Sequence, residues 1–185
     1  MLLDITLPLT PQLAGEAWRR TDASLVGHLG THFDVMDAEF PLEYTRREGV
    51  VFDVSEVGDR EIDIADIDER ALRAGQFVAF YTGFIEAVGY GGKAYFGDHP
   101  QLSEALIERL LEAGVSVIGV DFAGIRRGVE HIPADRRCAA RGTFVVENLC
   151  GLGAVLAHGG RFTAHTYPLR YSGVTGLPCR VLAEV

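Results

Sequence analysis

Cysteine is scarce in this 185-residue chain: there are three, Cys138, Cys150 and Cys179, with no close pair among them. That argues against a disulfide scaffold and against a zinc finger built on thiolates. Basic residues are also in deficit, 17 against 26 acidic ones, for a formal net charge of −9. A surface of that sign is a poor partner for nucleic acid or an anionic membrane, and it says nothing about a small-molecule substrate. No apolar run exceeds about seven residues, far below the ~18 needed to cross a bilayer. The opening Met1-Leu2-Leu3-Asp4-Ile5-Thr6 has no basic segment ahead of an apolar one, so a cytoplasmic location is expected. Hydrophobic residues make up 48% and charged residues only 23%, which excludes a disordered chain. The length predicts one domain over residues 1–185.

The 22 glycines lie largely between short apolar runs, a pattern of many strands with tight connections. Strands are predicted at Met1–Leu9, Ser24–Val35, Val50–Val54, Phe77–Tyr81, Val115–Val120, Phe144–Val146 and Arg180–Ala183. Ile64–Leu72 reads as a short helix. Ser103–Ala113 reads as the best one, with Ser103 as cap, apolar pairs at i, i+4 and Gly114 as the stop. The class is α/β or α+β with strands in the majority.

The segment that carries chemistry is His28-Leu29-Gly30-Thr31-His32-Phe33-Asp34. Its His, His and Asp stand at even offsets, so a strand would turn two imidazoles and a carboxylate to one face. Those donors suit Zn²⁺, and equally Mn²⁺ or Fe²⁺. The same spacing also describes an ordinary solvated strand face. A second cluster adds weight: His131, Asp135 and Glu147 place acidic groups near or within the apolar run at Phe144–Val146. A glutamate buried there is costly unless it is paired or ligating. Asn148, next in the chain, is placed to orient Glu147. His99, His158 and His165 are expected to be structural. Arg126, Arg127, Arg136 and Arg137 suit either salt bridges or an anionic substrate.

Together these residues resemble the cyclase family of metal-dependent hydrolases, which includes bacterial kynurenine formamidase. The family motif H-x-G-T-H-x-D-x-P-x-H aligns with His28 through Ala38. Similarity continues through Asp4–Leu9, Tyr95–Ser103, Ile118–Asp121, Val146–Leu149 and Gly176–Val181. The resemblance implies a swivelling β/β/α domain, a barrel-like mixed sheet with peripheral helices, assembled as a homodimer or homotetramer. It implies metal ligation by His28, His32, Asp34 and Glu147, with Asp135 at the position of the family's second-metal histidine. The family's catalytic histidine falls on Ala38, and its motif proline on Met36. Glu39 and His131 are the candidate replacements for that lost acid–base group. Trp18 lies too close to His28 for a substrate-binding role to be transferred to it.

The function so implied is metal-dependent hydrolysis of a small amide, as in arylformamidases of tryptophan catabolism, with Zn as cofactor or alternatively Mn or Mg, in one or two ions. The added carboxylate of Asp135 favours the harder ions. The alternative is a catalytically impaired metal- or ligand-binding paralogue of the same fold, because loss of a positioned acid–base group costs ~10²–10⁴ in rate.

Overall fold

The computed structural model describes residues 1–10 and 27–185. Trp18 and the start of the Ser24–Val35 segment lie outside them. Among the described residues one mixed sheet contains β1 (Leu2–Asp4), β2 (His32–Asp34), β3 (Arg46–Asp53), β4 (Phe77–Tyr81), β5 (Val117–Val120), β6 (Phe144–Glu147), β7 (Arg161–Thr166), β8 (Gly176–Pro178) and β9 (Val181–Glu184). Their spatial order is β1-β9-β7-β3-β4-β5-β6-β2-β8. The central β3-β4-β5-β6 ribbons are parallel and the flanking pairs antiparallel.

The sheet curls into a half-barrel. Just past β1, Ile5 donates its N–H to Val181, and its carbonyl accepts from Cys150, beyond the end of β6. A bridge between Thr6 and Leu149 makes the same link, so one edge of the sheet reaches back to its far side. Burial on both faces follows the two-residue period of the strands. Phe77, Ala79, Val117, Phe144 and Val146 fill the inside of the curl with Ile5, Phe33, Phe162 and Val181. Val78, Phe80, Ile118, Val120 and Val145 face the other way, onto Leu106, Ile107 and Leu110. This is the α/β architecture of a barrel-like sheet with helices outside it.

Five helices are described: α1 (Phe84–Val88), α2 (Lys93–Gly97), α3 (Glu104–Glu112), α4 (His131–Ala140) and α5 (Leu152–Ala157). Helix α3 begins as the sequence predicts, with Ser103 Oγ accepting from the Leu106 N–H. Gly114 follows it at φ +69°. Ile64–Leu72 forms two separate 3₁₀ turns rather than one helix. Asp63 and Asp68 each cap a new turn with their side chains, and short acidic side chains of this kind compete with helix continuation.

The Ser24–Val35 expectation is corrected too. Strand β2 occupies only His32–Asp34, because Gly30 takes φ +71° and breaks the extended run. Helix α4 was not foreseen. Pro133 discourages a helical reading, yet it occupies the third helical position, where a missing N–H leaves no bond broken.

Candidate metal centre

The site lies between the end of the sheet and α4. Antiparallel register sets His32 of β2 directly opposite Glu147 of β6, and Asp34 opposite Val145. His32, Asp34 and Glu147 therefore share the helix-covered face, while Phe33 and Val146 turn into the curl. Helix α4 packs Ala134 and Cys138 on that same face. Its i, i+4 spacing then presents His131 and Asp135 together. His28 arrives from the turn before β2.

Distances confirm the convergence. His28 Nδ1 lies 3.1 Å from Asp34 Oδ1 and 3.1 Å from His32 Nε2. His32 Nε2 stands 3.6 Å from Asp34 Oδ1 and 3.6 Å from Glu147 Oε2. His131 Nε2 is 3.0 Å from Asp135 Oδ2 and 3.1 Å from Glu147 Oε1. Two sets of donor atoms result, one of His28, His32 and Asp34, the other of Asp34, His131, Asp135 and Glu147. Asp34 belongs to both.

Hydrogen bonds fix which ring nitrogens face the cluster. The Gly30 carbonyl can only accept, so His32 donates to it from Nδ1, 2.8 Å away, and keeps the Nε2 lone pair for the site. His28 directs Nε2 at Thr175 Oγ1 (2.9 Å), leaving Nδ1 inward. The two ring nitrogens, 3.1 Å apart, are placed to share a proton or to flank a cation. The carboxylates make the same demand. Asp34 and Asp135 are each 1% exposed, and apart from the cluster's own imidazoles none of their four oxygens, nor Glu147 Oε1, has a hydrogen-bond donor. Buried carboxylate oxygens without donors are rare and costly. The donor set fits a divalent ion.

The electrostatics state the same frustration in protons. Burial opposes a charge on His32, but Asp34 and Glu147 outweigh it and raise the pKa to about 9. Hydrogen bonds to Asp135 and Glu147 raise His131 to about 11. Burial pushes Asp135 up to about 8 and also raises Glu147. Asp34 runs the other way: burial opposes its charge, but His32 and His28 hold its carboxyl far below the usual range. The protein without an ion therefore keeps the cluster together with protons.

Surrounding residues hold the cluster's side chains in place, and most left no signal in the sequence. Asn148, at φ +59°, does not orient Glu147 as expected. It donates from Nδ2 to the Gly30 carbonyl (2.8 Å) and accepts at Oδ1 from the Tyr95 hydroxyl (2.6 Å). Its own carbonyl accepts from Thr31 Oγ1, and the Tyr90 hydroxyl accepts from the Gly30 N–H. These bonds pin the turn that carries both N-terminal histidines. Two glycines make room for rings. A Cβ on Gly176, the β8 partner of Asp34, would fall 2.7 Å from His28 Cε1, and one on Gly124 would fall 2.6 Å from His131 Cε1.

Other expected residues stand apart. Glu39 is exposed and belongs to neither donor set. The chain turns away after β2, at Met36 with φ +52°, and carries Ala38 and Glu39 into a groove lined by both. His99 is buried against Phe122 with Nδ1 on the Pro100 carbonyl, and burial lowers it to about 4. His158 caps the end of α5 and His165 pairs with Glu184. Of the arginines, Arg126 bonds Glu61 and Glu130, and Arg137 bonds Glu104 and Glu108.

A curled mixed sheet with imidazoles and orphaned carboxylates gathered under one helix defines a metal-binding protein. The Cyclase family model matches residues 3–126, and the chain belongs to that family. No curated protein sequence matches it. Solved structures share its fold over nearly their whole length. A protein described as a potential metal-dependent hydrolase with cyclase activity is 24% identical, with TM-score 0.75 and coverage of 99% of this chain and 96% of the other. A predicted metal-dependent hydrolase from Bacillus stearothermophilus is 22% identical, TM-score 0.75, covering 99% and 97%. Isatin hydrolase A from Ralstonia solanacearum is 21% identical, TM-score 0.77, covering 99% and 91%. Among the described residues no helix is long and apolar enough to cross a membrane.

Proposed function

We propose that the protein is a metal-dependent hydrolase of small amides or related acyl compounds, with Zn²⁺ as its main ion. The single observation behind this reading is the set of buried carboxylate oxygens whose polar neighbours are the inward imidazole nitrogens alone. A bound divalent ion supplies Lewis acidity and lowers the pKa of water toward neutrality. His28 Nδ1, His32 Nε2 and Asp34 would hold that ion, and Thr175 and the Gly30 carbonyl orient the two rings. Thr175 also lines a cavity of about 930 Å³, together with Met36, Ala38, Phe40, Tyr171 and Leu177. That volume and that mix of apolar and aromatic walls suit a small organic acyl substrate. The fold similarity to isatin hydrolases agrees with a cyclic amide, and kinship with kynurenine formamidase agrees with an aryl formamide. Placement in tryptophan catabolism, in the cytoplasm and in a homodimer or homotetramer belongs to the same proposal.

Position 38 narrows the substrate class. Ala38 holds no proton for a leaving group, and exposed Glu39 stands outside the cluster. Substrates whose leaving group departs with little protonation, such as aryl esters and strained cyclic amides, should therefore be favoured over plain amides. The test compares an aryl ester, a cyclic amide and an aryl formamide on Zn-loaded protein, then repeats the series with Ala38→His. Ester turnover should exceed formamide turnover, and the variant should narrow the gap about tenfold or more. One ion per chain with no turnover of any substrate would favour the second reading, a metal-binding paralogue, to which the vacant acid–base position already points.

A further inference from the structure

The two donor sets are unlike in a way that a symmetric two-ion centre would not be. One offers two imidazole nitrogens and a single carboxylate; the other offers one imidazole and three carboxylates. We propose that they are seats of different ion preference, so that the protein holds a mixed pair: a borderline ion such as Zn²⁺ on His28, His32 and Asp34, and a hard ion such as Mn²⁺ on Asp34, His131, Asp135 and Glu147. This rests on the metal centre of the proposed function and adds an assignment to each half of it.

The first seat has the spacing of a small tetrahedral ion. With metal–nitrogen bonds of ~2.0–2.1 Å, two nitrogens on tetrahedral Zn²⁺ lie ~3.3 Å apart. His28 Nδ1 and His32 Nε2 are 3.1 Å apart. Both rings are oriented from behind by hydrogen bonds, as imidazole ligands of zinc are.

The second seat has the chemistry of a larger, oxygen-preferring ion. Asp135 stands one helical turn after His131, so α4 adds a carboxylate to the imidazole instead of a second imidazole. Three negative donors surround this seat. Both Asp135 oxygens are without donors, enough for a higher coordination number than four. Solvent reaches both halves alike, with the His28 and His131 side chains 32% and 31% exposed, so it is the count of oxygen donors that suits the second seat to an octahedral ion. Any seat with nitrogen donors binds Zn²⁺ more tightly than Mn²⁺ in absolute terms. The difference between the seats is therefore read under limited zinc.

The experiment uses the full chain, stripped with chelator, then given one equivalent of Zn²⁺ and a tenfold excess of Mn²⁺. After desalting, bound metal is counted by mass spectrometry and Mn²⁺ is examined by electron paramagnetic resonance. The expected result is about one Zn and one Mn per chain, with the spectrum of isolated, uncoupled Mn²⁺. His28→Ala should lose most of its Zn and keep Mn. Asp135→His, which replaces an oxygen donor of the hard seat with an imidazole, should cut retained Mn about fivefold or more by weakening that seat for Mn²⁺. Coupled Mn pairs in the wild type, or equal loss of both metals in His28→Ala, overturn the proposal. One Zn per chain with no Mn also overturns it, yet leaves the proposed function standing. No bound ion of either kind overturns both.

Discussion

Removing the ion should turn the cluster into a pH-dependent liability. In the stripped protein His32 is raised from its ordinary 6.5 to about 9, despite burial, by the carboxylates of Asp34 and Glu147. A group raised on folding stabilises fully below its unfolded pKa, and that contribution is lost as pH climbs through the folded value. For His32 the window is pH 6.5 to about 9, and the loss across it is roughly 3 kcal/mol. Asp135, raised to about 8 by burial, has the same sign, because folding favours its protonated form. Its contribution falls away from about pH 4 to about pH 8. Asp34 is lowered, so its contribution fades only in acid, below about pH 4, outside the window.

Against a typical stability of ~5–15 kcal/mol, a loss of about 3 kcal/mol is large. For a chain of this size it corresponds to a fall of roughly 6–12 °C in melting temperature. The assay is thermal melting in chelator from pH 6.5 to 9, repeated with saturating Zn²⁺. Imidazoles must shed their protons to ligate, so ion affinity rises with pH over the same range. The gap between loaded and stripped protein should therefore widen steadily. A stripped protein whose melting temperature stays flat or rises from pH 6.5 to 9 would show that the imidazoles and carboxylates do not share protons as their geometry requires.

Three further outcomes follow from the geometry. His32→Ala removes a nitrogen that faces both Asp34 and Glu147 and should abolish Zn²⁺ binding by calorimetry, whereas His158→Ala, exposed at the end of α5, should leave affinity within about twofold, since only ligands and their supports matter that much. Gly176→Ala puts a methyl 2.7 Å from His28 Cε1 and 2.7 Å from the Gly27 carbonyl; it should weaken Zn²⁺ binding by at least about tenfold and cost ~1–3 kcal/mol in denaturant unfolding through overpacking. Asn148→Asp tolerates the same positive φ but removes one of the two donors to the Gly30 carbonyl, leaving only His32 Nδ1, and sets a carboxylate oxygen against it, so ion affinity should drop about 10–100-fold with the fold intact by circular dichroism.

Much of the sheet was legible because its central strands are buried on both faces and so read as unbroken apolar runs. Phe77–Tyr81 coincides with β4 to the residue, and Phe144–Val146 lacks only Glu147 of β6. Short edge strands such as β8 (Gly176–Pro178), whose pairing partner supplies the reason for the strand, carry no such run. Of the centre, the donors themselves were legible as residue types, and their supports were not. Thr175, Tyr90, Tyr95 and Gly176 act at sequence separations that no local spacing encodes. Thr175 lies 147 residues from the His28 it orients.

Even offsets along a strand account for only part of the way His28, His32 and Asp34 come together. A continuous strand from His28 to Asp34 would have spaced the two imidazoles by four residues of extended chain, roughly 13 Å, too far for one ion. Gly30 at φ +71° folds the chain back between them, and their nitrogens meet at 3.1 Å. The glycine that the strand reading treats as empty space is thus the residue that makes the seat. A Cβ there would lie 2.9 Å from a Leu9 methyl, and the positive φ would cost an L residue further strain. The turn, not the strand, carries the first pair of imidazoles, and Asn148, arriving with Glu147 from β6, closes it from the other side. The late glutamate and the early histidines are therefore coupled twice, once as donors around a shared point and once through the backbone that places them.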